Sequence, residues 1–134
     1  MPDFNSWSVS YSIISFFERS LSGHRKVESF TRKDDIHFVI KHVDGTTLQV
    51  LLVNEYSLGL TAVLRARQEF PEIEYVVTGG NWNGYTPQAK QYSLQNDIGV
   101  FNAGEFFEAL NSTNPKQYYR KDEDGNPIYK YKNS

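Results

Sequence analysis

Two polar residues directly follow an apolar run in the middle of the chain. Residues 48–57 read LQVLLVNEYS, so Asn54 and Glu55 come immediately after a predicted buried strand. A buried strand that delivers polar side chains at its carboxyl end is a common way to build a site in an α/β domain. We therefore take Asn54 and Glu55 as candidate catalytic residues, with the alternative that they only end the strand.

The overall composition limits the classes of function. The chain has 134 residues, of which 39% are hydrophobic and 15% aromatic, enough for one domain with a packed core. The net charge is −2, whereas tight non-specific DNA binding normally requires a basic face, so only a local basic patch would suit DNA. Cysteine is absent, which excludes disulfides, a thiolate nucleophile and a cysteine-based zinc site.

The distribution of apolar residues also bears on localisation. No apolar run approaches the length of a membrane span, and the N-terminus lacks the basic and apolar regions of a signal peptide. We therefore expect a cytoplasmic protein with no membrane partner.

Apolar periodicity predicts nine elements in the order α-β-β-β-α-β-α-β-α. The predicted helices are 8–21, 57–70 with Ser57 as N-cap, 86–95 with Thr86 as N-cap and Pro87 at its first position, and 103–110. The predicted strands are 26–32, 35–43, 46–53, 73–77 and 98–101, with a hairpin turn at Asp44-Gly45. A meander of three strands followed by alternating units predicts an α/β fold with a mixed central sheet flanked by helices. Strands 46–53 and 73–77 should be adjacent and parallel, because a helix joins them.

The composition changes after Asn111. Residues 116–132 read KQYYRKDEDGNPIYKYK, which is rich in tyrosine and charge and contains a turn signal at residues 124–127. We therefore predict one domain over 1–111 and a charged, tyrosine-rich C-terminal appendage over 112–134, either a hairpin or a flexible tail.

The segment NGYTPQAKQYSLQNDIGVFN, residues 83–102, carries a resemblance to a known family. It resembles the segment of the restriction-endonuclease-like superfamily, the PD-(D/E)xK nucleases, in which a loop enters the helix before the last core strand. Within that superfamily it is most similar to the Mrr-like and Holliday-junction-resolvase-like branches. The resemblance covers roughly residues 8–110, and this phrase marks the fold more than the chemistry.

The resemblance implies a Mg²⁺ site, since family members hold one or two Mg²⁺ ions with an acid at the start of the second strand and another on the third. A lysine two positions beyond the second acid helps to activate water, and a glutamate on the first helix often joins them. Carboxylates suit hard Mg²⁺, and the metal withdraws charge from the phosphoryl group. Glu18 matches the helix glutamate and Asp35 the first strand acid.

The remaining two family positions depart from the pattern. The third-strand acid falls at Leu52 and the lysine at Asn54, and neither is of the required type. Glu55 is one residue out of phase and should face the other side, unless a bulge turns it inward. The resemblance therefore implies a degenerate site in which Glu18, Asp35, Asn54 and Glu55 are a remnant or a divergent arrangement. Metal binding by Asp35 and Glu18 would then be weak.

Each of these residues also has a purely structural interpretation. Asp35 fits a turn residue as well as it fits a site residue, and Glu18 fits a solvent-exposed position on its helix. His37 and His42 fit strand-surface residues better than metal ligands, because no acid or cysteine cluster accompanies them. Tyr56 fits the core.

A second set of residues is suited to nucleic acid. Trp82 and Tyr85 could form an exposed aromatic pair that stacks on an unpaired base or anchors a protein, with packing over the sheet edge as the alternative. Lys90 could reach a phosphate from the following helix. Arg120 and Lys121 belong to the tail pattern of interleaved aromatic and cationic residues, which an ordinary exposed hairpin explains nearly as well.

Three classes of function follow. The first is a nuclease-fold domain without catalysis, which binds nucleic acid or a protein partner in a defence, repair or mobile-element context and needs no cofactor. The second is an active Mg²⁺-dependent DNA endonuclease that uses Glu18, Asp35 and a repositioned Glu55. The third is a pure protein-interaction module. The resemblance also implies a possible homodimer.

Overall fold

A computed structural model of the chain describes residues 5–80 and 82–132. Its four helices are α1 (Tyr11–Ser22), α2 (Leu60–Glu69), α3 (Pro87–Gln95) and α4 (Ala103–Ala109), with a 3-10 turn at Pro115–Gln117. Its strands are β1 (Val27–Asp34), β2 (His37–His42), β3 (Thr47–Val53), β4 (Ser57–Leu58), β5 (Tyr75–Thr78), β6 (Gly84–Tyr85), β7 (Gly99–Asn102), β8 (Arg120–Lys121) and β9 (Pro127–Ile128).

Five strands form a mixed central sheet in the order β1-β2-β3-β5-β7. The meander β1-β2-β3 is antiparallel, and β3, β5 and β7 are parallel to one another. The predicted α/β class is therefore confirmed. The predicted parallel pairing of strands 46–53 and 73–77 is also confirmed, with Val50 opposite Tyr75 and Val53 opposite Thr78. Gly45, with φ of +95°, forms the predicted turn between β2 and β3.

The helices bury apolar faces against the sheet and against each other. In α1, Ser10 caps the first turn by accepting a hydrogen bond from the N–H of Ile13, and Phe17 is buried. The Phe17 ring lies 5.0 Å from that of Phe38 on β2 and 6.0 Å from that of Phe106 on α4, centroid to centroid. The predicted cap of α3 is present, since the Thr86 side chain accepts from the N–H of Ala89.

The C-terminal segment forms a hairpin of β8 and β9 and then pairs with the body of the protein. The N–H of Tyr85 donates to the carbonyl of Lys130 at 3.0 Å, and the N–H of Lys132 donates to the carbonyl of Tyr85 at 2.9 Å. A Cβ atom at Gly84 would lie 2.0 Å from the carbonyl oxygen of Lys130, so only glycine permits this approach. The segment thereby extends the small parallel sheet of β4 and β6.

Several local predictions were wrong. Ser57 does not cap α2, because Ser57–Leu58 pairs with Gly84–Tyr85 as a short strand and Gly59 is the N-cap. Tyr56 is 57% exposed rather than part of the core. His37 and His42 are buried rather than on the strand surface: His37 Nε2 contacts Gln49 Oε1 and His42 Nε2 contacts the carbonyl oxygen of Leu110, both at 2.8 Å.

No helix in the described ranges is long and apolar enough to cross a membrane.

Candidate functional site

The carboxyl ends of β3, β5 and β7 meet at one edge of the sheet, because the three strands are parallel. At this edge the Thr78 hydroxyl accepts from the N–H of Glu55 at 2.9 Å and donates to the carbonyl of Glu55 at 2.6 Å. These two bonds fix the backbone of Glu55 beside the end of β5.

Neutral amides occupy the same edge. Nδ2 of Asn83 lies 3.0 Å from Oδ1 of Asn54 and 3.2 Å from Oγ1 of Thr78, and it also contacts the carbonyl oxygen of Gly79. Nδ2 of Asn102 donates in turn to the carbonyl of Asn83 at 3.2 Å. Asn54, at the position where the resemblance places a catalytic lysine, therefore takes part in an uncharged network.

The two acids that match the family pattern share one guanidinium. Nε of Arg32 lies 3.3 Å from Oε2 of Glu18, and Nη1 of Arg32 lies 3.0 Å from Oδ1 of Asp35. Nη1 also donates to the backbone carbonyl of Asp35 at 3.3 Å, and Asn5 Nδ2 donates to Oδ2 of Asp35 at 2.9 Å. All three charged side chains are about one third exposed or more, so the ion pairs are individually weak.

The location of Asp35 agrees with its structural interpretation as a turn residue. It lies in the turn between β1 and β2, and the carbonyl of the next residue, Ile36, accepts from the N–H of Leu52 at 2.9 Å. Glu18 and Asp35 therefore lie at the same edge of the sheet as Leu52 and Asn54. In the described part of the chain, no group of three or more His, Asp or Glu side chains is arranged to hold a metal ion.

An apolar pocket of about 280 Å³ opens next to Leu52. Leu52 is fully buried, Phe16 is 48% exposed and Trp82 is 81% exposed, so the floor is closed and the rim is aromatic. The walls come from α1, β3, the loop after β5 and the start of α4, and the lining residues are Ser12, Ile13, Phe16, Phe17, Leu52, Gly79, Gly80, Trp82 and Ala103. The lining can bind an uncharged group, but it offers no acid or base for hydrolysis, and its one hydroxyl, that of Ser12, contacts only the hydroxyl of Ser10 among the described residues.

Glycine shapes the loop that forms one wall of this pocket. A Cβ atom at Gly79 would lie 2.6 Å from Cγ2 of Ile13, so the loop can pack directly on α1 only because the side chain is missing. Gly80 has a φ of +85°, a conformation that other residues rarely adopt. The two glycines of the loop therefore serve close packing and a turn, and they set the width of the pocket.

Tyr85 does not join Trp82 in an exposed pair. Its side chain is fully buried, and its hydroxyl donates to Oε2 of Glu105 at 2.7 Å while accepting from the N–H of Lys130 at 3.0 Å. Burial raises the pKa of the Tyr85 hydroxyl, and the negative charge of Glu105 raises it further. The prediction that Tyr85 stacks on a base is wrong, because the C-terminal segment covers it.

Lys90 is also unavailable to a phosphate. It is 1% exposed, and its Nζ donates to the carbonyl of Val100 at 2.6 Å. The rings of Phe101, Tyr85 and Tyr129 surround this ammonium group, with centroids 4.1, 5.1 and 5.6 Å away. Burial lowers the pKa of Lys90 to about 8, although Glu105 opposes this shift. The prediction that Lys90 binds a phosphate is therefore wrong.

The two cations of the tail differ in their availability. Arg120 binds Glu108 through both Nε, at 2.7 Å, and Nη2, at 2.8 Å, and this contact lowers the pKa of the Glu108 carboxyl. Lys121 is exposed, with its Nζ 5.7 Å from the ring centroid of Tyr119. The hairpin that carries both residues leaves Lys121 open to a ligand, whereas Arg120 already has a partner.

Three residues that organise the site were not identified from the sequence. Arg32, Asn83 and Glu105 organise the acid pair, the amide network and the Tyr85 hydroxyl, respectively. A signal existed for two of them. Arg32 lies three residues before Asp35 across a predicted tight connection, and Asn102 and Glu105 have the spacing of a capping box, which is present in α4.

The chain has no significant match in comparisons with family models, curated proteins and solved structures. The fold itself defines the class, which is an α/β protein with a five-stranded mixed sheet and four helices in the described part of the chain.

Proposed function

We propose that the chain is a restriction-endonuclease-like domain that lacks catalysis and binds a partner, in a defence, repair or mobile-element context. The observation that carries the proposal is the guanidinium of Arg32 between Glu18 and Asp35. A cation from the protein itself pairs with both carboxylates that a metal would need and offsets one of their two negative charges.

Two further features support this proposal. Phosphodiester hydrolysis by a metal mechanism needs a divalent ion at the scissile group and a route to hydroxide at neutral pH. Leu52 contributes an aliphatic wall where the resemblance requires a second strand acid, and Asn54 bonds to another amide. The same sheet edge instead offers an apolar pocket with aromatic residues at its rim, which suits binding rather than hydrolysis.

The active Mg²⁺-dependent endonuclease is the second candidate, because one observation favours it. The backbone of Glu55 is held by two hydrogen bonds to Thr78, at the sheet edge where the resemblance expects the catalytic acids. In that case Glu55 would replace the missing strand acid. The mechanism would still lack the lysine, whose charge-assisted hydrogen bond is about twice as strong as the neutral one that Asn54 provides.

A cleavage assay separates the two candidates. Wild type, Asp35→Ala and Glu55→Ala are incubated with labelled linear, branched and single-stranded DNA in the presence of Mg²⁺ or Mn²⁺. We expect no cleavage by any of the three proteins. Metal-dependent cleavage by wild type that disappears in both variants would establish Glu55 as a catalytic carboxylate and refute the proposal.

A further inference from the structure

We propose that the pocket beside Leu52 binds an aromatic side chain of a protein partner in which Lys or Arg flanks that aromatic residue. The inference rests on the proposed function, and it names the partner class of the same site. It follows from the size of the pocket, the chemistry of its lining and the charges held by the adjoining segments.

The size of the pocket fits one ring system. Its volume of about 280 Å³ lies below the usual range for drug-sized ligands, roughly 300–1,000 Å³. Pockets of this kind in protein interfaces take a single aromatic anchor, and the surrounding contacts exclude water. The closed floor at Leu52 and Phe17, which are 0% and 1% exposed, provides the dry surface that such an anchor needs.

The chemistry of the lining favours an aromatic occupant. Phe16 and Trp82 expose their rings at the rim, and aromatic pairs gain from offset or edge-to-face packing beyond the area that they bury. Ser12 supplies a hydroxyl at the same rim, which can meet a polar edge such as an indole N–H. An aliphatic side chain would use neither feature.

The charges argue against a nucleic acid. The lining contains no charged side chain, whereas nucleic-acid binding depends mainly on cations that neutralise phosphates. The segments next to the lining carry the carboxylates of Glu18, Asp35 and Glu55, and among their cations Arg32 already pairs with two of these acids. Arg19, exposed one turn beyond Phe16 on α1, is the cation closest in sequence to the lining residues and the first that a phosphate could use. A basic residue beside the aromatic anchor complements this surface.

The test uses three probes and the full chain labelled with ¹⁵N. The probes are the capped peptides acetyl-Lys-Trp-Lys-amide and acetyl-Lys-Ala-Lys-amide and a 15-nucleotide oligothymidine, each titrated while the amide and indole resonances are followed. We expect saturable shifts at Gly79, Gly80, Ala103 and the Trp82 indole with the tryptophan peptide, and none with the alanine peptide.

Variants identify the surface that is used. Trp82→Ala should weaken the tryptophan peptide by at least about tenfold. Tyr56→Ala is the matched control, because Tyr56 is also an exposed aromatic residue at this edge but does not line the pocket. It should leave the affinity unchanged, and Arg19→Glu should leave it unchanged or raise it, because that substitution makes the surface more acidic toward a Lys-flanked peptide. The amide spectrum of each variant shows whether the fold is retained.

Two outcomes would overturn the inference. Tighter binding of the oligothymidine at the same amides, lost in Arg19→Glu and at high salt, would assign the pocket to a nucleobase. The absence of saturable shifts with the tryptophan peptide would remove the pocket as a binding site. Neither outcome depends on cleavage, so a failure here is distinct from a failure of the proposed function, which is decided by the DNA assay.

Discussion

Nη1 of Arg32 lies 3.0 Å from Oδ1 of Asp35, across the turn that joins β1 to β2. The same side chain reaches Glu18 on α1 through Nε. Two carboxylates that come from different elements thus share one partly exposed guanidinium.

Magnesium binding should be no tighter than millimolar. Mg²⁺ gives up its bound waters reluctantly and requires an oxygen-rich, negatively charged site. At this site the Arg32 guanidinium already offsets part of the negative charge of Glu18 and Asp35. Calorimetric titration of wild type with Mg²⁺ measures this affinity. Arg32→Gln should bind Mg²⁺ more tightly than wild type, and Lys33→Gln, at a neighbouring exposed cation that pairs with Glu72, should not. Micromolar binding by wild type that Asp35→Ala abolishes would contradict the prediction.

Lys90 should make the free energy of unfolding depend on pH. Its pKa is about 8 in the folded protein and about 10.4 in an unfolded chain, so between these values the unfolded state binds more protons. The free energy of unfolding should therefore rise by up to roughly 3 kcal/mol as the pH increases across this window. The same gain is lost when the pH falls back through the window.

Lys90→Met is the variant that checks this dependence. It should flatten the rise between pH 8 and 9.5 in urea unfolding experiments, because the group whose protonation differs between the folded and unfolded states is then missing. The window stops below pH 10, since the raised pKa values of the buried Tyr75 and Tyr85 lower the stability above it. Lys26→Met is the control at a partly exposed lysine. Equal slopes in wild type and Lys90→Met would refute the prediction.

Gly84→Ala should detach the C-terminal segment. The added methyl group would lie 2.0 Å from the carbonyl oxygen of Lys130, which must then move and break the Tyr85–Lys130 backbone bond. We expect a loss of about 1–3 kcal/mol in the free energy of unfolding and faster hydrogen exchange at the Tyr85 amide. Gly23→Ala is the control, because its Cβ would lie 3.6 Å from its nearest neighbour atom at an ordinary φ of −92°.

Tyr85→Phe should also destabilise the protein. The substitution removes a hydroxyl that donates to the buried Glu105 and accepts from the partly buried N–H of Lys130, and each partner is left with one bond fewer. The expected loss is about 1–3 kcal/mol. Tyr131→Phe, at a residue that is 46% exposed, should change the stability by less than about 0.5 kcal/mol. Denaturant unfolding of both variants measures the difference, and equal losses would contradict the assigned role of the Tyr85 hydroxyl.

Local signals in the sequence sufficed for the elements and much of their order. Alternating apolar residues marked β2, Gly45 marked the turn after it, and Thr86 with Pro87 marked the start of α3. These features depend on the backbone preferences and hydrogen bonds of residues within a few positions of one another, which is why they can be read from the chain. The parallel pairing of β3 with β5 followed from the handed connection through α2.

The candidate site was decided by contacts between distant residues. The sequence left exposure and packing open for both aromatic residues, and the structure exposes Trp82 but buries Tyr85, only three positions away, because Lys130 and Lys132 cover it from 45 or more positions further along the chain. Such contacts cannot be predicted from the types and spacing of residues along the chain.

The sequence by itself determined which acids were present and which catalytic types were missing, since Leu52 and Asn54 cannot change their chemistry. Only the tertiary structure decided that Arg32 stands between Glu18 and Asp35, and that Leu52 closes an apolar pocket. The physical reason is that ion pairs and cavities are properties of surfaces brought together from α1, the β1–β2 turn and the strand ends, and their geometry exists only after the sheet has formed.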